Sequence, residues 1–459
     1  MYSAARARNM TSGSILGHLT AFSLPLMIEN LFQLLYNTAD TIIVGRCIDK
    51  SALAAVGATS MVIWLVTAVF MGFSTGVTTM AARCYGAREY DEFRRIARNA
   101  FGAIPLVGIA LMIPSMLLVP QVLDVINTPA DIYVGAEQYL RSYLFAMPAI
   151  AVFNIGSGIL RAVGDSKRPV AILMATSVLN IVLDYVFIRY CNMGVAGAAW
   201  ASVAAHYVSA AVVVIMFART HEVYRCSPRD YTLQASELKR IGYFSFPQVL
   251  ERTVTYLSNV FVQGYINYFG SSFIAAYSAC SKVDSFLFMV MTSISAAELT
   301  FAGQNAGAKQ YARIKKSVRV AVAMALSLLA VLSAAILLNR ETIISIFNDD
   351  PEVISYGVMI MGFMVPFEAI TCIYSIYGSL FKGVGDVVSV TVMWLGSFVL
   401  CRQVYLYIAA NFICNEPLMI IGSMPLGWGV CSLISLVYYF SGRWKRFLGL
   451  RPADALEDA

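Results

Sequence analysis

The 459-residue chain is 59% hydrophobic and 13% charged, whereas a soluble domain carries about 25% charged residues. Such a composition excludes a soluble globular fold and describes a polytopic membrane protein. The net charge of +6 sits in joints between apolar runs, as expected of loops facing anionic lipid, and no nucleic-acid-binding signature accompanies it.

The first apolar run, Leu24 to Gly45 (LPLMIENLFQLLYNTADTIIVG), is long enough to cross a bilayer, for which roughly 20 residues suffice. Arg6 and Arg8 precede it. The run is a full span and contains an acid, so it reads as a transmembrane helix rather than a cleaved signal peptide. Glu29, Gln33, Tyr36 and Asp40 are spaced 4, 3 and 4, which places them on one helical stripe. An Asp near a span centre costs about 2.5–3.5 kcal/mol on insertion scales, so it needs a protein-lined or watery interior, unless headgroup water wets it.

Further along, apolar runs predict about 12 spans, at roughly 17–45, 51–82, 95–119, 132–160, 169–191, 194–218, 240–268, 272–303, 317–338, 353–380, 387–410 and 420–441. The joints between them leave no room for strands or a soluble domain. Basic joints (Arg83 to Arg98, Lys167 and Arg168, Arg219 to Arg240, Lys309 to Lys316) alternate with neutral or acidic ones holding Asp124, Asp131, Asp349, Asp350 and Glu352. The first joint, with Arg46 and Lys50, is the exception. The positive-inside rule then puts both termini in the cytoplasm. Nine cysteines without a CxxC pair and three dispersed histidines read as core residues, not a metal or disulfide frame.

The chain repeats itself. GAREYDEFRRIAR from Gly86 resembles GAKQYARIKKSVR from Gly307, an offset of 221 (307 − 86). LRAVGD and LFKGVGD share that offset through Gly164 and Gly385, as do Ala54-Ala55 and Ala275-Ala276. The expected architecture is all-α, with two six-helix lobes related by an internal repeat. Residues 1–220 form the N-terminal lobe, 221–239 a cytoplasmic linker, and 240–459 the C-terminal lobe with a short tail. Parallel duplication of this kind is a transporter arrangement, with a pathway between lobes.

Asn180 and Asp184 lie four residues apart in an otherwise apolar fifth span, hence on one face. Their repeat counterparts are Cys401 and Tyr405, and that of Asp40 is Phe261. Acids present in one lobe only point to a functional site there, because scaffolding would be kept in both. Two facing intramembrane carboxylates favour a shared proton or a hard cation with oxygen ligands, and the two occupancies pack differently. The metalloprotease and nucleotide-binding motifs HExxH and GxxxxGK[ST] do not occur, so the chain reads as no enzyme.

LPLMIENLFQLLYNTADTIIVGR, ALAAVGA, the GA[RK] loops, LRAVGDSKRP, LNIVLDYVFI, GVAGAAWAS and AGQNAGA, in that order along nearly the whole chain, resemble the multidrug and toxic compound extrusion (MATE) transporters. The resemblance implies two six-helix bundles that alternate between outward- and inward-facing states. It implies export of organic, often cationic compounds against entry of H⁺ or Na⁺, with no cofactor beyond that ion. The family's first-helix acid falls on Asp40, its fifth-helix Asn and Asp on Asn180 and Asp184, and a sixth-helix hydroxyl on Ser202. Na⁺, if it is the coupling ion, would sit at Asp40, Asn180 and Asp184. Tyr36 and Asn154 match polar positions lining the same lobe cavity, and Pro25 matches a site where the helix bends.

The second half departs from one branch of the family. Glu251 and Glu368 lie in spans seven and ten, each about one turn from the branch's acids. Glu251 mirrors Glu29, each four residues after a proline, at an offset of 222 (251 − 29). Two readings stand for these acids: contacts for cationic substrate, or wet residues at the outer mouth. Arg252, Lys282 and Arg402 are candidate internal ion-pair partners, and Glu298 is expected to be solvated at the cytoplasmic end of its span. Glu29 lies about 16 Å from Asp40 by helix rise, too far to share its ion. With Pro25 it reads as a helix switch, and Glu251 joins this substrate-cavity and switch set.

The leading function is a secondary active exporter of drugs and toxic compounds, working as a monomer in the bacterial plasma membrane. The partners expected are small organic molecules and the lipid bilayer. The alternative is a lipid-linked precursor flippase or polysaccharide exporter of the same superfamily, for which the first lobe's acidic interior is ill suited.

Overall fold

A computed structural model describes residues 9–48 and 50–449, apart from the side chains of residues 35–42, 46, 47 and 50. Among the described residues every regular element is helical. Ten helices are long and apolar enough to cross a membrane, and Ala130–Leu144 with Met147–Ala162, bent by 48°, form an eleventh span. Ala235–Asn267 is a 33-residue helix of lower apolar content, because Thr253, Thr255, Ser258, Asn259 and Gln263 interrupt it. It completes the twelve.

The repeat motifs prove to be helix punctuation. Gly164 (φ 81) and Gly385 (φ 104) end spans four and ten in the left-handed conformation, where a Cβ is disfavoured. The aspartate after each glycine opens the next helix. Asp165 accepts the backbone N–H groups of Lys167 and Arg168 at 3.1 Å, and Asp386 accepts that of Ser389 at 3.2 Å, satisfying donors a helix start leaves orphaned. Arg88 (φ 61) and Lys309 (φ 58) take matching left-handed turns in the GA[RK] joints. Helix packing repeats as well. The Ser74 hydroxyl donates to the Asn154 carbonyl at 2.6 Å, and at the offset of 221 the Ser295 and Ser375 hydroxyls bond at 2.8 Å.

By packing, the chain divides into two compact units, one holding Leu24–Val249 and the other Asn9–Ser23 together with the chain from Leu250 onward. Both divisions fall within helices, beside Pro25 and Pro247. The first unit's core joins Phe70, Phe93, Phe101, Ile159 and Phe217. In the second unit, close approach depends on small residues, as in membrane bundles generally. A Cβ added at Gly383 would lie 2.6 Å from the Leu299 carbonyl oxygen.

Candidate functional site

In the first unit Asn180, Asp184 and Ser202 are all buried. The Asn180 amide donates to the Ser202 hydroxyl at 3.3 Å, so spans five and six supply a carboxylate, an amide and a hydroxyl to one interior position. Val186–Tyr190, just beyond Asp184, is a π-helix, the kind of local widening frequently found at functional positions. The Asp40 and Tyr36 side chains lie outside the described residues. Asn154 is half-buried. Its amide donates to the Ile150 carbonyl one turn back at 2.9 Å while its own carbonyl takes the Ser74 bond.

Glu29, half-buried four residues beyond Pro25, receives Arg161 Nη2 at 3.1 and 3.2 Å on its two oxygens. Glu251 in the second unit is 3% exposed and bonds Lys382 Nζ at 2.7 Å. Lys382 also lies 5.1 Å from the Trp394 ring centroid. Arg161 and Lys382 are themselves repeat mates (382 − 161 = 221). The same acid–base pair therefore joins the first and fourth spans of each lobe. Sequence reading found the glutamates and missed both cations, although LRAVGD and LFKGVGD contain them at matching positions.

Three expectations for the second half are corrected. Glu251 and Glu368 are not wet residues: they are 3% and 2% exposed. Glu298 is not solvated but fully buried, accepting the Ser317 hydroxyl at 2.8 Å. It lies where span eight packs on its neighbours, which hydropathy does not reveal. Of the suggested ion-pair partners, Arg252 is not the cation bonded to Glu251, since Lys382 fills that place. Lys282 is exposed and lies over the Phe347 ring at 5.7 Å. Arg402 pairs with no acid among the described residues and donates to Ser258 and Asn259 instead.

At the second lobe's counterparts of the first-lobe site stand Cys401, Tyr405 and Ser423, with the Tyr405 hydroxyl donating to the Met419 carbonyl at 3.1 Å. At these repeat positions the carboxylate and amide stand in the first lobe only. Chemically the first-lobe group suits a proton or a hard cation, whose preferred ligands are carboxylate, carbonyl and hydroxyl oxygens.

Comparison with known proteins agrees with this architecture. A sequence model of the MatE family matches residues 25–186 and again 247–408, so both halves carry it, with Pro25 and Pro247 at corresponding starts. The probable multidrug resistance protein NorM of Thermotoga maritima is 25% identical over 438 residues, 93% of each chain. An FAD transporter of Shewanella oneidensis is 20% identical over 338 residues, 73% of this chain and 75% of its own. Among solved structures, a MOP superfamily transporter from Pyrococcus furiosus aligns with a TM-score of 0.89 at 20% identity, over 97% of this chain and 99% of its own. That likeness shows the fold. With a family match in each of two homologous halves, the chain belongs to the MatE family of multi-span membrane transporters.

Proposed function

We propose that the protein is a secondary active exporter of organic compounds, often cationic, driven by H⁺ or Na⁺. The observation that carries this reading is the buried Asn180–Asp184–Ser202 group, built in one lobe and absent from its repeat. A carboxylate that is neutralised by an ion in one state and exposed to exchange in another supplies the energetic difference that alternating access requires. Asp40 completes the ion site from the first span, with Tyr36 and Asn154 along the same lobe interior. Pro25 and Glu29 transmit occupancy to the shape of the first helix, and Glu251 takes part in the corresponding movement of the seventh. The transport lobes comprise residues 1–220 and 240–459 joined by 221–239. The protein works as a monomer in the bacterial plasma membrane with both termini cytoplasmic.

The test is efflux from reconstituted vesicles with ΔpH and Na⁺ gradients imposed separately. Asp40→Asn and Asp184→Asn are expected to abolish gradient-driven transport while the protein remains folded and inserted. Wild-type rates in Asp40→Asn would remove the acid from the mechanism, and transport indifferent to both gradients would remove the antiport.

A further inference from the structure

The two repeats keep one basic pattern and treat it differently. At the head of span three Arg94, Arg95 and Arg98 match Lys315, Lys316 and Arg319 at the head of span nine, at the offset of 221. In the first lobe this face is neutralised and covered. Arg94 pairs with Asp91 at 3.3 Å, and Arg95 with Glu237 at 4.0 Å. The segment that follows span six lies against the same helix. The Val223 carbonyl accepts Arg94 Nε at 3.3 Å, and the Gln234 N–H donates to Asn99 Oδ1 at 2.7 Å. A Cβ added at Gly102 would stand 2.8 Å from the Thr232 carbonyl oxygen.

In the second lobe the bases stay while the acid and the points of attachment are gone. Ala312, Val320 and Ala323 stand where the first lobe has Asp91, Asn99 and Gly102. Lys316 and Arg319 are exposed, and neither enters an ion pair among the described residues. With Lys315 and the three smaller replacements they line a recess of about 600 Å³. Ala312, Lys316, Arg319, Ala323 and Leu326, spaced 4, 3, 4 and 3, are all exposed and so form one stripe. From Lys316 to Leu326 the stripe turns from cationic to apolar over about 15 Å of helix rise. The Tyr311 hydroxyl donates to the Leu448 carbonyl at 3.0 Å, which brings the turn holding the exposed Arg443 and Arg446 to the same end of the helix.

We infer that this face of span nine binds an anionic phospholipid, with the phosphate on Lys316 and Arg319 and an acyl chain along Val320, Ala323 and Leu326. Charged nitrogen donors suit phosphate oxygens, and basic recesses at the ends of membrane spans hold anionic headgroups. The apolar continuation of the stripe favours a lipid over free phosphate. It also favours a lipid over Asp454, Glu457 and Asp458 near the end of the chain. The assignment rests on the multi-span architecture and is independent of the export reading above.

The experiment titrates dioleoyl phosphatidylglycerol or dioleoyl phosphatidylcholine into the purified full-length protein in detergent and counts bound lipid by native mass spectrometry. Wild type is expected to hold phosphatidylglycerol more tightly than phosphatidylcholine. Lys316→Gln combined with Arg319→Gln is expected to weaken phosphatidylglycerol about tenfold or more and phosphatidylcholine less than about twofold. Both residues are exposed, and retained phosphatidylcholine binding reports an intact fold. Arg225→Gln with Arg229→Gln removes the same charge elsewhere and is expected to leave phosphatidylglycerol binding unchanged. Equal loss from the two pairs, or no preference between the lipids in wild type, overturns the assignment. So does displacement of the lipid by inorganic phosphate at equal concentration, which would mean that the acyl chains contribute nothing. Neutralising Asp454, Glu457 and Asp458 together is expected to leave lipid affinity as it was. A gain of about tenfold or more would show the chain's own acids to be the occupant and overturn the lipid.

Discussion

The Glu251–Lys382 pair permits a quantitative test of how the lobes are built. Its atoms meet at 2.7 Å, with side chains only 4% and 12% exposed. Taking the charge centres about 4 Å apart and an effective dielectric near 20, their attraction is about 4 kcal/mol. Removing one partner of a buried pair typically costs about 3–5 kcal/mol, because the survivor stays buried and unpaired, whereas replacing both by neutral groups is often nearly neutral. Lys382→Met and Glu251→Gln should therefore each destabilise substantially. The double variant should recover most of the loss, giving a coupling energy of about 3 kcal/mol. The repeat mate Glu29–Arg161 is more exposed, at 12% and 27%, and should show a smaller coupling of about 1 kcal/mol. The assay is reversible unfolding in mixed micelles, run as two double-mutant cycles. Additivity within about 0.5 kcal/mol at Glu251–Lys382 would refute the reasoning.

Two further outcomes follow from the packing. Gly383→Ala drives a methyl group to 2.6 Å from the Leu299 carbonyl oxygen and 2.9 Å from Ala302 Cβ, so backbone must move. The expected loss is about 2–3 kcal/mol, read as a lower midpoint of thermal unfolding, and an unchanged midpoint would contradict the close approach. Ser317→Ala takes away the hydroxyl donated to Glu298 Oε1 in a fully buried setting. It should cost about 1–3 kcal/mol in the same unfolding assay, and Ser317→Thr should retain most of the stability.

The two acid–base pairs also bear on how a first helix works in each lobe. Glu29 and Glu251 each stand four residues beyond a proline, where a helix has lost a backbone bond and bends readily. A charge-assisted contact just past that point fixes the direction in which the helix continues. The pairs are thus placed to hold helix geometry, whereas the Asn180–Asp184–Ser202 group is the one proposed to hold an ion.

Much of this was legible in the chain alone. Apolar run length, loop charge and a recurring offset are one-dimensional quantities, and they determine the all-helical class, the twelve spans and the duplicated lobes. Asn180 and Asp184 could be grouped because four residues on a helix return to the same face. The pairing of side chains from different spans is another matter. Arg252 adjoins Glu251 in sequence but points about 100° away around the helix, while Lys382 arrives from 131 residues further on. Hydropathy likewise does not distinguish a glutamate wetted at a span's end from one enclosed by neighbours, which is why only the packed structure placed Glu298 beside Ser317. The same holds for Arg402, whose partners Ser258 and Asn259 come from another span, about 140 residues earlier in the chain.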